Sequence, residues 1–198
     1  MGGSWISPVE RGEKSLSVDI VTDKDLWDTF IDAGPSGLLF HKWDFLKITE
    51  RYTGYRVLPC GIYKGRELVA VCPFFHKEIS GISVVFSPPP MQAVIPYQGI
   101  VMSRDYTTAK QSKRESTLQV VIEGLREVID GLSPNYLSIK LTPDYHDIRH
   151  FIWDGYQTRI SYSYTVDLTP PLETLWKNLS AKLRTNLRKF EKSGYYLE

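Results

Sequence analysis

The sequence lacks the long apolar run that a membrane-spanning helix requires, since no stretch approaches roughly 18 consecutive apolar residues. Its N-terminal segment, MGGSWISPVERGEK, has no basic stretch followed by an apolar one, so no secretory signal is predicted. Internal repeats and low-complexity blocks are also missing. We therefore expect a globular protein of the cytoplasm that does not associate with a membrane.

Cysteine is scarce as well, since the chain contains only Cys60 and Cys72. His76 follows, but no second Cys–His pair accompanies it, so the spacing does not favour a metal site. The segment YRVLPCGIYKGRELVAVCPFF predicts a β-hairpin that turns at Lys64-Gly65. In that register Cys60 lies opposite Val69, and Cys72 lies on the other face. The prediction is two buried free thiols and no metal.

A strong net charge is missing too, because 24 basic and 23 acidic side chains leave a formal charge of +1. The charges are unevenly placed: residues 172–198 carry six Lys and Arg against three Glu, and the rest of the chain sums to −2. Proteins that bind nucleic acid usually present a contiguous basic surface. The other segments offer no such surface, which counts against a nucleic-acid module. That alternative to an enzyme would grip a tRNA acceptor stem through the C-terminal helix alone.

The hydrophobic pattern predicts an α/β fold, with a mixed, mostly antiparallel sheet flanked by helices in one domain. Thr22 is the expected N-cap of the first helix. The expected elements, in chain order, are a strand and a helix before Gly34-Pro35, a helix closed by Gly54, the hairpin over 55–77, a strand, a proline-rich loop and a strand over 81–102, a helix over 115–132, and a strand at YLSIKL.

The C-terminal third adds two further elements. Alternation in SYSYTVDL predicts a strand that carries Tyr162 and Tyr164 on one face, with Tyr164 in the core. A single helix is expected from Thr169-Pro170-Pro171 onward, because prolines are tolerated in a first turn. Its apolar face contains Leu172, Leu175, Trp176, Leu179, Leu183, Leu187 and Phe190.

Cations follow one stripe of this predicted helix. At about 100° per residue, the stripe contains Lys177, Arg184, Arg188 and Lys192. Four cations in a row repel one another unless anions join them. One interpretation is a solvated face that nearby Glu side chains partly neutralise. The other is a ligand that carries phosphate, because Arg matches phosphate oxygens with two parallel hydrogen bonds.

The same run, LETLWKNLSAKLRTNLRKFEKSG, resembles a signature of the FemAB-like branch of the GNAT acyltransferases. In that signature a Trp is followed by K-x-R-x-N-(I/L)-R-K-x-x-K-x-G. Upstream, LFHKWDFLK resembles the early Phe-(Gln/His)-x-x-x-Trp helix of such proteins, and PPPMQAVIPYQG resembles their proline-rich loop. FIWDGYQTRISYSYTVDL resembles the aromatic strand before the linking helix. The resemblance covers about residues 18–198.

The resemblance implies a domain plan and a function. Residues 1–17 would be a flexible tail, 18–171 an N-terminal GNAT-like domain, and 172–198 a linking helix that leads to a second GNAT-like half absent from this chain. The implied activity is N-acyl transfer, of an acetyl or aminoacyl group, to an amine of a small molecule or peptide, with this chain on the acceptor side. The donor would be acetyl-CoA, an aminoacyl-tRNA or another acyl donor.

The donor is expected to bind mainly to the missing half. The acyl-CoA pyrophosphate loop of GNAT enzymes, Gln/Arg-x-x-Gly-x-Gly/Ala before a helix, does not occur in the sequence. That loop works by pointing a row of backbone amides at phosphate. This chain by itself is therefore expected to be inactive.

Five residues are candidates for substrate contact. In relatives that use nucleotide-linked cell-wall precursors, a Lys of the early helix and the Arg of K-x-R-x-N hold phosphates, which by motif correspond to Lys47 and Arg184. Arg188 shares the cationic stripe, and Tyr97 would line a cleft. His41 stands where many relatives have Gln, so the same acceptor is not implied. Each residue also has a purely structural interpretation, as an ion pair, a helix surface, a cap or packing.

No catalytic base can be named. The sequence offers no Ser-His-Asp or Cys-His arrangement, and direct attack by an amine on a bound thioester does not require one. A third interpretation is a non-catalytic interaction module that pairs with a second GNAT-like half or with itself.

Overall fold

The computed structural model describes residues 16–90, 95–143, 145, 147–162 and 164–193. The chain divides into two compact units, Met1–Gln157 and Thr158–Glu198. Of the expected tail, residues 1–15 lie outside the described part, and a strand begins at Leu16. The GYYLE segment, where a further strand was expected to begin, also lies outside it.

The first unit is built on a six-stranded sheet. Its strands are β1 (Leu16–Ile20), β2 (Arg56–Lys64), β3 (Glu67–Ile79), β4 (Ile82–Ser87), β5 (Val101–Met102) and β6 (Tyr136–Ile139). The order across the sheet is β1-β2-β3-β4-β6, and β5 pairs with β3. All of these pairs are antiparallel except β4 with β6, which is parallel. The predicted mixed, mostly antiparallel sheet is confirmed.

The helices of this unit are α1 (Lys24–Ala33), α2 (Trp43–Thr53), α3 (Arg104–Thr108), α4 (Gln111–Leu132) and α5 (Arg149–Trp153), and a 3₁₀ turn, Leu39–His41, precedes α2. The helix ends expected at Gly34 and Gly54 are confirmed, and Gly54 has the left-handed φ of 66° that favours glycine. The expected N-cap Thr22 is wrong. Asp23 caps α1, because its carboxylate accepts the backbone N–H groups of Asp25 and Leu26 at 2.9 and 3.0 Å. Among the described helices, none combines the length and the apolar character needed to cross a bilayer.

The sheet separates two hydrophobic clusters. Alternation along β3 sends Phe74 to one cluster and Phe75 to the other. The first cluster contains the apolar face of α4 and includes Val18, Cys60, Ile62, Cys72, Val85, Leu118, Val121, Ile122 and Leu125. The second contains residues of α1 and α2 and includes Val21, Trp27, Ile31, Leu46, Val57 and Val101. The helix predicted over residues 115–132 is confirmed as part of α4, which buries Leu118, Val121, Ile122 and Leu125.

The predicted register of the β2–β3 hairpin is wrong. Lys64 pairs with Glu67, so the turn lies one residue later than expected, which shifts the pairing partners by two residues. An irregularity between Ile62 and Tyr63 shifts them by one more. Cys60 therefore lies opposite Cys72 rather than Val69. Both thiols are free and fully buried, as predicted.

The second unit differs from expectation in two places. Its described residues before Thr169 form no strand, and Tyr162 and Tyr164 are 91% and 100% exposed, so the predicted strand and the predicted core position of Tyr164 are wrong. Alternation alone cannot form a strand, because each ladder needs a hydrogen-bonded neighbour.

The single C-terminal helix is also wrong. Two helices form, α6 (Leu172–Asn178) and α7 (Ala181–Lys192). Leu179 and Ser180 between them adopt extended backbone, and the Ser180 hydroxyl accepts the N–H of Leu183 at 3.2 Å, as an N-cap does. The apolar face predicted for that helix is largely exposed, with Leu172 at 80% and Leu183 at 44%.

We expect the two thiols to resist modification in the folded protein. Burial raises the pKa of Cys60 to about 12 and raises that of Cys72 well above its ordinary value. At pH 8 a thiol of pKa about 12 is ionised to about one part in ten thousand, and the thiolate is the reactive form. A chromogenic disulfide reagent should therefore detect almost no thiol in native protein and two per chain in denaturant. Rapid reaction of both thiols without denaturant would contradict the hairpin register and its burial.

Candidate functional site

The β4–β6 pair is the parallel step in the described sheet, and its carboxyl ends meet where Ser87 pairs with Ile139. Ligands of open α/β sheets bind outside the carboxyl ends of parallel strands. After Ser87 the chain enters the proline-rich loop, and Gln98 and Gly99 lie again at this edge, where they bond to Lys140 and Ser87. This strand edge is therefore the candidate site.

Ser87 holds the returning segment in place. Its side chain is fully buried, its carbonyl accepts the N–H of Lys140 at 2.7 Å, and its hydroxyl accepts the N–H of Gly99 at 3.1 Å. Gln98 donates its N–H to the Lys140 carbonyl at 2.9 Å. Gly99 has φ of 60°, and a Cβ there would lie 3.0 Å from the Lys140 carbonyl oxygen, so only glycine fits. The edge is thus closed by a connected set of hydrogen bonds.

His41 links this segment to the 3₁₀ turn. The imidazole is fully buried, and its Nδ1 accepts the N–H of Leu38 at 3.1 Å. Nε2 therefore carries the proton and donates to the carbonyl of Gln98 at 2.9 Å. Burial lowers the pKa of His41 below its ordinary value, and the hydrogen bond to the Gln98 carbonyl opposes this effect. His41 is thus a neutral, doubly bonded side chain within the site rather than an exposed ligand contact.

Gln98 supplies the most unusual feature of the edge. Its side chain is fully buried, and its Nε2 donates to the carbonyl of Phe40. This leaves Oε1, which has no hydrogen-bond partner. The hydroxyl of Thr142, whose side chain is also buried, likewise lacks one. Buried polar atoms without partners are few in native proteins, so these two atoms call for an explanation.

The predicted contacts Tyr97 and Lys47 differ in their surroundings. Tyr97 is half-buried beside Gln98, so the edge contains both Tyr97 and His41. Lys47 lies on the exposed surface of α2, where its ammonium pairs with Glu50 at 2.9 Å and stands 5.5 Å from the centre of the Trp43 ring. These contacts fit the surface-lysine interpretation of Lys47.

Arg184 and Arg188 belong to the second unit, where both contact α6. The guanidinium of Arg184 donates to the carbonyls of Lys177 at 2.9 Å and Trp176 at 3.4 Å, at the C-terminus of α6. Arg188 lies 5.6 Å from the centre of the Trp176 ring. The predicted stripe assumed one continuous helix. The break at Ser180 separates Lys177 from the cationic stripe, and it gives Arg184 a structural role at the end of α6.

Another concavity lies at the first turn of α4. Its volume is about 100 Å³, and charged side chains of both signs line it, among them Lys64, Glu67, Asp105 and Lys113. Ligand pockets usually measure about 300–1,000 Å³, so this cleft is small for a cofactor. None of the predicted site residues lines it.

The described residues at the edge do not fit the pyrophosphate of an acyl-CoA. Pro88, Pro89 and Pro90 follow β4 and have no N–H to offer, and the N–H of Gly99 is taken by Ser87. No step that involves the acyl donor is therefore assigned to them. In the part of the chain that the structure describes, no group of three His, Cys, Asp or Glu side chains could hold a metal ion.

Sequence reasoning missed Ser87, Gln98 and Thr142. Ser87 carried a local signal, since it closes an apolar strand directly before three prolines, and Gln98 adjoins the predicted Tyr97. Thr142 carried none. Its place near Gln98 depends on the pairing of two segments that are distant in sequence.

We expect His41 to make stability depend on pH. Its pKa is lowered in the folded protein, so the unfolded chain binds a proton that the folded protein does not bind as the pH falls below about 6.5. Neutral His41 therefore makes its full contribution to the free energy of unfolding above that pH. The contribution is lost as the pH falls toward the lower pKa that His41 has in the folded protein. Between pH 7.5 and 5.5 the loss can reach about 1.4 kcal/mol.

The measurement is urea unfolding at both pH values, with His41→Gln as the control. Glutamine can still donate to the Gln98 carbonyl, but it does not titrate. The variant should lose less stability than the wild type over this interval. Equal losses in the two proteins would show that His41 is not held neutral.

Arg184→Ala should loosen the end of α6. Removal of a charged donor from helix carbonyls costs about 1.5–3 kcal/mol, less where the group is partly solvated, as Arg184 is. We expect amide hydrogen exchange over residues 172–179 to accelerate at least about fivefold, which corresponds to about 1 kcal/mol. Lys182→Ala, at an exposed position of the same helix, is the matched control and should stay within about 0.5 kcal/mol. Equal rates of amide hydrogen exchange over residues 172–179 in the two variants would exclude a role of Arg184 in stabilising the end of α6.

Comparison of the chain with models of known protein families, with curated protein sequences and with solved structures finds no match. A function can therefore be inferred only from the geometry of the strand edge and from the sequence motifs.

Proposed function

We propose that this chain is the acceptor-side half of an N-acyltransferase, which transfers an acetyl or aminoacyl group to an amine of a small molecule or peptide. The observation that supports this most is the hydrogen-bonded edge at the carboxyl ends of β4 and β6, where Tyr97, Gln98 and His41 lie together. The proline-rich segment that leads to this edge is the one that resembles the FemAB-like loop. The mixed sheet flanked by helices is also the fold that the resemblance implies.

In the proposed reaction the amine nitrogen attacks the acyl carbonyl carbon, a C–N bond forms, and the donor's thiol or hydroxyl leaves with a proton. The chemistry needs orientation of the amine and a path for its proton, and no covalent enzyme intermediate. The role of this chain is to orient the acceptor. The acyl donor, acetyl-CoA or aminoacyl-tRNA, is assigned to a second GNAT-like half, and the reaction to the cytoplasm.

A second candidate is an interaction module, and the second unit favours it. None of its described residues is buried, and apolar side chains such as Ile160, Val166 and Leu168 are more than 70% exposed. Large exposed apolar surfaces commonly mark protein interfaces. This candidate predicts association without any acyl transfer.

The test is acyl transfer by the product of the complete reading frame, followed by mass spectrometry with a panel of primary amines. Tyr97→Ala should lower kcat/KM at least about tenfold, because a lost orienting contact at the edge costs about 1.4 kcal/mol or more. Tyr136→Ala is the control. Tyr136 is a tyrosine at the opposite end of β6, 55% exposed, and its loss should change kcat/KM by less than about twofold.

Three results would count against the proposal. One is a complete reading frame that encodes no second half. Another is equal activity of the two tyrosine variants. The third is micromolar binding of acetyl-CoA to this chain alone, measured by isothermal titration, because its described edge lacks a phosphate cradle.

A further inference from the structure

The segment before the last two helices has the residue pattern of a strand without a neighbouring strand. Residues 159–168, RISYSYTVDL, contain no glycine or proline, and apolar residues alternate with polar ones. No hydrogen bond between described residues involves a backbone N–H or carbonyl of residues 159–162 or 164–168. Tyr162 and Tyr164 are 91% and 100% exposed. Open backbone groups beside exposed aromatic rings are what a strand from another chain binds.

The order of apolar residues along this segment is complementary to itself. In an antiparallel pair of two copies that sets Tyr162 opposite Tyr164, Ile160 falls opposite Val166. These four side chains share one face of the strand, because alternate residues point the same way. A two-fold axis then repeats each pair, as in an isologous interface.

The opposite face places unlike charges together in the same register. Arg159 falls opposite Asp167 of the second copy. Arg159 is exposed and has no ion pair with any described residue. Asp167 accepts the N–H and the hydroxyl of Thr169 through Oδ1, at 3.0 and 2.8 Å, which leaves Oδ2 for a guanidinium. Opposite charges directly across an antiparallel pair stabilise it, and a register displaced by two residues would lose this pair.

The area that this pairing can cover suits a dimer. A buried tyrosine removes about 150–250 Å² from water, so the four tyrosines of two copies account for roughly 600–1,000 Å². Ile160 and Val166 add to this area, since both are more than 70% exposed. Specific interfaces bury about 1,200–2,000 Å² in all. Two-stranded ribbons also need an apolar surface to pack on, and α7 of the same unit exposes Leu183 and Leu187.

We propose that residues 159–168 pair with the same segment of a second copy as an antiparallel two-stranded ribbon, which makes the chain a two-fold symmetric dimer. The second copy supplies the hydrogen-bonded neighbour that the segment lacks within one chain. This contact is independent of the proposed acyl transfer.

The first measurement is sedimentation equilibrium of the full chain over a range of concentrations, which should show a monomer–dimer equilibrium. Tyr164→Ser removes a ring from the ribbon and should raise the dissociation constant of the dimer at least about tenfold. Tyr52→Ser is the matched control. Tyr52 is 77% exposed on α2, outside the segment, and its loss should change the constant by less than about twofold. A monomer at every concentration up to the millimolar range, or equal constants for the two variants, would overturn the proposal.

Cysteine cross-linking tests the register. Ser161→Cys and Thr165→Cys proteins, mixed and then oxidised, should form a disulfide-linked dimer, because the two positions lie opposite each other across the ribbon. Either variant alone should not, since its two cysteines would lie roughly 13 Å apart along the strands. Cys60 and Cys72 are fully buried and do not compete.

Two results of these experiments would contradict the dimer. Equal yields of cross-linked protein in the mixed and the single samples would exclude the register. Protection of the amides of residues 159–168 from hydrogen exchange in a monomeric protein would show that the segment pairs within its own chain.

Discussion

At the carboxyl end of the parallel β4–β6 pair, the hydrogen bonds of Ser87 join three segments of the chain. One residue accepts the N–H of Lys140 through its carbonyl and the N–H of Gly99 through its hydroxyl. The outgoing end of β4, the continuation of β6 and the returning loop are thereby fixed to one another. Because Ser87 is fully buried, water cannot replace these bonds cheaply. Gln98 takes its position from this junction, and Tyr97 is the residue next to it.

The two hydrophobic clusters give the junction its rigidity. α4 covers one face of the sheet, and α1 and α2 cover the other, so each strand end is held from both sides. His41 extends the support across the second face, because its imidazole connects the 3₁₀ turn to the Gln98 carbonyl. A site built on packed elements is held more precisely than one built on free loops. The edge therefore has the order that an orienting role requires.

Features of this fold that depend on neighbouring residues could be predicted from the sequence. Features that depend on pairing between distant segments could not. The period of α4 and the glycine after α2 act within a few residues, and both expectations were confirmed. The partner of Cys60 was missed because an irregularity in β2 shifts the register, a feature that apolar alternation does not encode. The break at Ser180 competes with a continuous apolar stripe, and the pattern alone favoured the stripe. Gln98 and Thr142 could not be connected without the paired segments.

The corner between α6 and α7 has a thermodynamic consequence. The guanidinium that holds it, Arg184, is the one that the motif assigns to phosphate. Its Nη1 donates to the Lys177 carbonyl, whereas a guanidinium carries five N–H donors in all. An anion that displaced Nη1 from this carbonyl would couple its own binding to the bend, so the two would be linked equilibria. An anion bound through the other donors would leave the bend unchanged.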